Sequence, residues 1–289
     1  MKVLITGING LLGSELAPLL ADNHEVIGVC RNPAMAACET QSLDITDQIA
    51  VYHAVTRINP DIIIHSAALA NVDECENNPD NAFKTNCYGT RNLALACQRF
   101  DAALLYVSTD YVFSGKQHPP SGYTEFDATG PLSVYGTSKL AGEWMARHLL
   151  NKFYIVRTAW LFGKARPNFI KSVDDSLSAG KEINACTDMT GSPTCTRDAA
   201  EAISTLIDTG AYGIYHVTNE GFGSRYEIAS YIARIKKYPA HLIKKIEQKQ
   251  LRLPAMRPVF SGLNNYAWKL NNLPPIRPWQ DAVKEFLAK

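Results

Sequence analysis

Lys2-Val3-Leu4-Ile5-Thr6-Gly7-Ile8-Asn9-Gly10-Leu11-Leu12-Gly13 is the stretch from which the fold can be read. Residues 2–6 are an apolar run of the kind a parallel sheet buries on both faces. Glycines stand at 7, 10 and 13, and Ser14-Glu15-Leu16-Ala17-Pro18-Leu19-Leu20 then reads as a helix. Glycine permits a tight bend and close approach of the backbone, so free amides at the start of that helix can face a pyrophosphate. The plainer reading is a tight strand-to-helix turn. The position of the glycines, between a first strand and a first helix, is what the binding reading requires.

Outward from this turn, strands and helices alternate. Residues 24–31 read as a second strand and 43–47 as a short third. Asp61-Ile62-Ile63-Ile64-His65-Ser66-Ala67-Ala68 is a buried strand ending in small residues. Apolar residues at helical spacing fill 81–100, and Ala103-Leu104-Leu105-Tyr106-Val107-Ser108-Thr109-Asp110 is another central strand. The alternation predicts an α/β fold, a Rossmann-type doubly wound parallel sheet with ligands at the carboxyl ends of its strands. Residues 114–133, rich in Pro, Gly, Ser and Asp, read as a long loop over those ends, a lid or substrate-binding segment. The expected domains are 1–160, with 190–220 returning to it, for a dinucleotide, and 161–189 with 221–289 as a smaller C-terminal substrate lobe. In the lobe, 225–237 and 279–288 read as helices and 244–253 as charged and partly helical.

A helix over about 134–150 begins Ser133-Val134-Tyr135-Gly136-Thr137-Ser138-Lys139. A tyrosine and a lysine four apart on a helix share one face, so a phenol has an ammonium as its activator. Spacing alone would make this a solvated contact. The chain order argues otherwise: a glycine turn, then Ser108-Thr109-Asp110 at a strand end, then the pair. Taken by themselves, Thr109 and Asp110 read as a strand terminus satisfying its own backbone. Cys30 and Arg31 stand at the end of the second strand, where an acid would select the 2′-hydroxyl of NAD and an arginine accepts a 2′-phosphate. This favours NADP(H), with NAD(H) second, and an exposed solubilising arginine as the structural alternative. Asp44 lies near where an adenine amino group would be bonded, while Thr46 or Asp47 caps the next helix. His65 reads as a satisfied core histidine.

The 289 residues, 46% of them hydrophobic, suffice for one large core or a core with a smaller lobe. With 29 basic and 28 acidic residues, net charge +1, nothing favours nucleic acid or an anionic membrane. Seven cysteines, none in a Cys-x-x-Cys pair, argue against zinc or a disulfide framework and for a reducing, cytoplasmic compartment. No apolar run reaches the length of a signal-peptide core or a membrane span.

Gly7-x-x-Gly10-x-x-Gly13, Ser108-Thr109-Asp110-Tyr111-Val112-Phe113, Tyr135-x-x-x-Lys139 and Arg157-Thr158-Ala159-Trp160-Leu161-Phe162-Gly163 together resemble the extended short-chain dehydrogenase/reductases. Within them the chain resembles the dTDP-4-dehydrorhamnose reductase family over essentially its whole length. Ala67-Ala68-Leu69-Ala70-Asn71-Val72-Asp73, Gly191-Ser192-Pro193-Thr194 and Arg257-Pro258 resemble that family's later motifs. The resemblance implies NADPH-dependent reduction of the 4-keto group of a nucleotide-linked 6-deoxy sugar, dTDP-4-dehydro-L-rhamnose. Tyr135 would be the general acid, Lys139 would stabilise its phenolate and hold the nicotinamide ribose, and Thr109 would fix the substrate oxygen. Gly7, Gly10, Leu11, Leu12, Gly13, Asp44, Ile45, Ala67, Ala68 and Leu69 would join Arg31, Tyr135 and Lys139 in contacting the cofactor. Thr109, Asp110, Trp160 and Arg257 would touch the sugar or its nucleotide. Core packing is the alternative for Trp160, and a surface position for Arg257.

Some members of the family form a magnesium-bridged dimer built from glutamates. Glu15 matches one such position, but Arg197 stands where a second acid would be, so no metal is expected, and the chain is expected to be a monomer or homodimer. Two other activities fit the scaffold: a nucleotide-sugar epimerase or dehydratase that retains NAD, against which Arg31 speaks, and a non-catalytic NADP-binding regulatory subunit resembling methionine adenosyltransferase beta. Fold alone does not choose among them; the intact Thr109, Tyr135 and Lys139 favour catalysis.

Overall fold

In β1 (Lys2–Thr6), Val3 and Ile5 pack into one layer and Leu4 into the other, so the strand is buried on both faces. The computed structural model describes residues 1–32 and 38–288. After β1 come α1 (Gly13–Ala21), β2 (Glu25–Cys30), β3 (Glu39–Ser42), α2 (Gln48–Ile58), β4 (Ile62–His65), α3 (Val72–Asn77), α4 (Pro79–Phe83), α5 (Gly89–Phe100) and β5 (Ala103–Thr109). A long loop leads to α6 (Val134–Leu149), β6 (Phe153–Thr158), β7 (Leu161–Phe162), α7 (Phe169–Ser178), β8 (Ile183–Cys186), β9 (Thr190–Gly191), β10 (Thr194–Cys195), α8 (Thr196–Ile207) and β11 (Gly213–His216). The last elements are β12 (Gly223–Ser224), α9 (Arg225–Lys236), β13 (Ile243–Ile246), α10 (Tyr266–Leu270) and α11 (Trp279–Ala288).

The central sheet has the order β3-β2-β1-β4-β5-β6-β11, with every neighbouring pair parallel. The strand order reverses between β1 and β4, and a doubly wound sheet opens its ligand crevice at that point. On one face α1 and α8 bury Leu16, Leu20, Ile203 and Leu206 against Val3 and Ile5. On the other, α2, α5 and α6 bury Val51, Val55, Leu93 and Ala146 against Leu4 and Ile63. A separate core of Phe162, Ile170, Val173, Ile228, Ile232, Trp279 and Val283 holds α7, α9 and α11 together. A smaller cluster of Val112, Phe113, Tyr123, Phe260 and Leu263 lies beneath the loop after β5.

Several expected elements move. The third strand is β3, at Glu39–Ser42, and not 43–47; Asp44 turns the chain through its bond from the Thr46 amide (2.9 Å). Asp47 then caps α2, accepting from Ile49 and Ala50 at 2.9 and 3.0 Å, a contact worth about 1 kcal/mol. The helix expected over 81–100 is present and continuous from Pro79, but it widens into a π-turn at Lys84–Tyr88 between α4 and α5. Within 244–253, residues 243–246 form β13, paired in parallel with β8, and only 248–251 makes a helical turn. The loop over 114–133 is pinned down: Glu125 accepts from the amides of His216 (2.7 Å) and Ala267 (3.0 Å), and Tyr123 stacks on Phe113 at 4.3 Å. Burial pushes the Glu125 carboxyl above the usual carboxylate range, with those two amides opposing the shift. Among the described residues no helix is long and apolar enough to cross a membrane.

Candidate active site

The glycine turn lies at the carboxyl end of β1, beside the loop that follows β4. Gly7 has φ 72°, and a Cβ there would stand 2.7 Å from the Ala67 nitrogen; one on Gly13 would stand 2.4 Å from the Gly7 carbonyl oxygen. Side chains would fill this cradle, so the residues present leave backbone where a dinucleotide's phosphates need it. α1 starts after Leu12 without a side-chain cap, as an anion-accepting helix start requires. The Thr6 hydroxyl accepts from Ala67 (3.3 Å), and Ser66 donates to the Thr6 carbonyl (2.7 Å), fixing the small residues after β4 against β1. His65 is fully buried, bonded to Thr6 (2.7 Å) and Thr90 (3.1 Å), and burial lowers its pKa to about 3, so it is the neutral core histidine its surroundings suggested. Arg31 is exposed beyond β2, close enough to Asp44 to help hold that carboxyl down, after the larger effect of the Thr46 amide. Ile45 is buried in the layer beneath.

β5 ends at Thr109, and α6 sets Tyr135 and Lys139 against that end. Ser133 caps α6 by accepting from Gly136 (3.2 Å), and a Cβ on residue 136 would stand 2.3 Å from the Tyr111 carbonyl oxygen. That contact draws the first turn of α6 onto the segment after β5 and brings Tyr135 beside Tyr111, their rings edge-on at 5.8 Å. Burial raises the Tyr135 phenol well above its ordinary value, and the Thr109 hydroxyl opposes the shift. Lys139 is 3% exposed, donates to the Val107 carbonyl at 2.6 Å and sits 4.2 Å from the centre of the Tyr106 ring. Desolvation lowers its pKa to about 7, with the Glu143 carboxylate pulling it back up.

Beneath this pair lies a buried network that the sequence did not single out. Glu143 accepts from the Ser108 hydroxyl (2.6 Å) and from Arg157 at 2.9 and 2.7 Å, a bidentate pair on 0% and 3% exposed side chains. Asn86, inside the π-turn, accepts from the Leu69 amide (2.8 Å) and donates to the Leu69 carbonyl and to Ser138, both at 3.0 Å. It ties the loop after β4 to α6. π-turns are rare and concentrate at functional sites.

On the substrate side Asp110 is 2% exposed, with Ser261 donating to it at 2.5 Å and Thr109 at 3.0 Å. Trp160, half-buried between two core clusters, has φ 42°, the left-handed region that a tryptophan enters only under constraint from its surroundings. The Arg225 guanidinium lies 3.6 Å from its ring centre. Arg257 is paired with Asp73 at 2.7 Å and donates to the Ala255 carbonyl at 2.9 Å. The expected residues thus lie after β1, β2, β3, β4, β5 and β6 and on the first turns of α6, with Arg257 engaged by a carboxylate of α3. On the far side of α8, Arg197 stands 3.7 Å from Glu285.

The RmlD substrate binding domain, as a family, matches residues 1–289. The chain belongs to this family. The dTDP-4-dehydrorhamnose reductase of Streptomyces griseus is 38% identical over 288 residues, 98% of this chain and 91% of that relative. The crystal structure of a dTDP-4-dehydrorhamnose reductase from Clostridium acetobutylicum superposes with a TM-score of 0.91 at 36% identity, covering 100% of this chain and 99% of that one. The Bacillus anthracis dTDP-4-dehydrorhamnose reductase, solved in complex with NADP, gives 0.87 at 36% identity over 99% and 98% of the two chains. In this RmlD-family chain, Glu143 follows Lys139 by one more helical turn, so the spacing Tyr135, Lys139, Glu143 was a signal available in the sequence. Nothing local marks Asn86 or Arg225, whose roles depend on partners far along the chain.

Proposed function

We propose that this chain catalyses the NADPH-dependent reduction of the 4-keto group of a nucleotide-linked 6-deoxy sugar, converting dTDP-4-dehydro-L-rhamnose to dTDP-L-rhamnose. The observation that carries this is the convergence of Thr109, Tyr135 and Lys139 at one strand end, facing the glycine cradle, in a chain of the RmlD family. Gly7, Gly10, Leu11, Leu12 and Gly13 would cradle the pyrophosphate of the cofactor, Arg31 would meet its 2′-phosphate, Asp44 and Ile45 would lie by the adenine, and Ala67, Ala68 and Leu69 would line the dinucleotide. The bound nicotinamide supplies the hydride. Thr109 turns its hydroxyl proton from Asp110 to the substrate carbonyl oxygen and fixes that oxygen against Tyr135, whose raised pKa keeps the phenol protonated until alkoxide develops. The phenolate left behind favours the ammonium form of Lys139, which sits near its titration point at neutral pH and can pass a solvent proton back. Asp110 and Trp160 contact the sugar. Arg257 meets the diphosphate by exchanging the Asp73 carboxylate for phosphate oxygens.

We assign residues 1–160 and 190–220 to the dinucleotide half and 161–189 with 221–289 to the substrate lobe. The place of β11 in the main sheet and the packing of α8 on α1 support this division. The proposed compartment is the cytoplasm, a reading supported by seven free cysteines, and the proposed state is a monomer or homodimer. The test is the loss of NADPH absorbance with dTDP-4-dehydro-6-deoxy-L-mannose. Wild type is expected to oxidise NADPH faster than NADH, and Tyr135→Phe to lose about 10²–10⁴-fold in kcat while still binding NADPH. Cofactor binding without oxidation of either nucleotide overturns the reading.

A further inference from the structure

Arg225 opens α9, and among the described residues no carboxylate forms an ion pair with it. Its backbone amide donates to the Met189 carbonyl at 3.0 Å. The nearest acid along the helix, Glu227, is engaged in a capping box: it accepts from the Ser224 amide at 2.7 Å, and its own amide donates to the Ser224 hydroxyl at 3.1 Å. The Arg225 guanidinium instead sits between two rings, 3.6 Å from the centre of Trp160 and 4.4 Å from that of Phe169. Aromatic faces hold a weakly hydrated guanidinium in place without cancelling its charge. Among the described residues its side chain forms no ion pair.

That charge lies near the residues described above on the substrate side. Its electrostatic neighbours are Tyr111, Asp110, Cys186 and Arg257, and burial lowers its pKa only to about 10, so it is cationic at neutral pH. Asp110 already accepts from Ser261 and Thr109, and the one carboxylate paired with an arginine here, Asp73, belongs to Arg257. Arg225 also walls a cavity of about 130 Å³ with Trp160, Phe169, Pro193 and Ile228. Of the two guanidinium groups here, Arg257 is ion-paired and, among the described residues, Arg225 is not, and a ligand with adjacent anionic oxygens matches the donors of the unpaired one.

We propose that Arg225 binds the diphosphate of the nucleotide substrate, held ready for it by Trp160 and Phe169. The proposal rests on the nucleotide-sugar reading above and deepens it. A guanidinium presents paired donors that match phosphate oxygens, whereas the glycine cradle for the cofactor follows β1 and is built on Gly7, Gly13 and Ala67. The affinity of Arg225 is therefore for the substrate's phosphates and not for those of NADPH.

The experiment titrates wild type, Arg225→Met and Arg225→Lys with thymidine, dTDP, UDP, GDP and NADPH by calorimetry. Methionine keeps apolar volume between the rings; lysine keeps charge without the planar fork. The expected result is that wild type binds dTDP much more tightly than thymidine, and that Arg225→Met loses about 10–100-fold in dTDP affinity. Arg225→Lys should fall between them, with thymidine and NADPH affinities unchanged in both variants. In turnover the loss appears in KM while kcat stays near wild type. Unchanged dTDP affinity in both variants, or equal wild-type affinity for dTDP and thymidine, overturns the proposal and leaves the reductase reading standing. Arg225-dependent binding of UDP or GDP in place of dTDP supports the proposal and overturns the thymidine assignment. Wild type that binds none of the three diphosphates overturns both.

Discussion

Asp110 shows how a single residue of the site works against stability. Burial pushes its carboxyl up to about 6, against the hydrogen bonds from Ser261 and Thr109 and the nearby Arg225 charge. Its folded-state pKa lies above the unfolded one, so the native protein holds more protons between about pH 4 and 6, and stability falls as pH rises through that window. Above it the ionised carboxylate costs on the order of 3 kcal/mol. Asp110→Asn is expected to raise the thermal midpoint at pH 8, with the gain shrinking toward zero at pH 4, and to lower turnover if the carboxylate holds the sugar. A midpoint difference that does not vary with pH would refute this account. Cys30 and Arg31, at the end of β2, are legible at this scale because cofactor choice depends on the residue type at one strand end.

At the scale of one element, α6 carries Tyr135, Lys139 and Glu143 on successive turns, and the last anchors the helix to β6 through a buried ion pair with Arg157. Removing one partner of such a pair strands a charge in the core. Arg157→Met is therefore expected to cost about 3–5 kcal/mol in chemical denaturation, and the double variant with Glu143→Leu to recover much of it. Glu143→Gln, which keeps the shape, removes the charge that holds the Lys139 pKa up. The Lys139 value then drops below about 7, and the alkaline limb of the kcat/KM profile should move to lower pH. An unshifted limb would mean that Glu143 acts only structurally. The 16 residues of α6 were readable from Ser133 onward because its cap and its spacing are local. The π-turn at Lys84–Tyr88 was not, because apolar spacing over 81–100 is that of a regular α-helix. The π-turn exists to place Asn86 against Leu69 and Ser138, contacts 17 and 52 residues away.

At the scale of the molecule, the Arg257–Asp73 pair joins segments 184 residues apart and closes the segment around 255–257 onto α3. The pairing holds the Asp73 carboxyl below the usual range, chiefly through its bond from Arg257. Asp73→Asn is expected to cost about 1 kcal/mol of stability in the free protein. By releasing Arg257 it should also tighten dTDP binding several-fold, and calorimetry alongside thermal unfolding checks both. Weaker dTDP binding would show that Asp73 positions Arg257 and does not compete for it. The loop over 114–133 belongs to this scale too. Its composition reads as a free lid, yet Glu125 fastens it to β11 and α10, residues 91 and 142 positions away.

Short-range physics, legible residue by residue, accounts for the architecture. Strands apolar on both faces and alternating with helices require a parallel sheet covered on both sides, glycines at 7, 10 and 13 require a close backbone turn, and a phenol and an amine four apart on a helix must share a face. The tertiary structure decided everything that needs two distant segments at once: β13 beside β8, the neutral His65 between Thr6 and Thr90, the Asn86 bridge, and Arg225 between Trp160 and Phe169. The physical reason is that a buried charge or amide takes its properties from whichever partners the fold brings to it, and those partners carry no mark in the residues beside it.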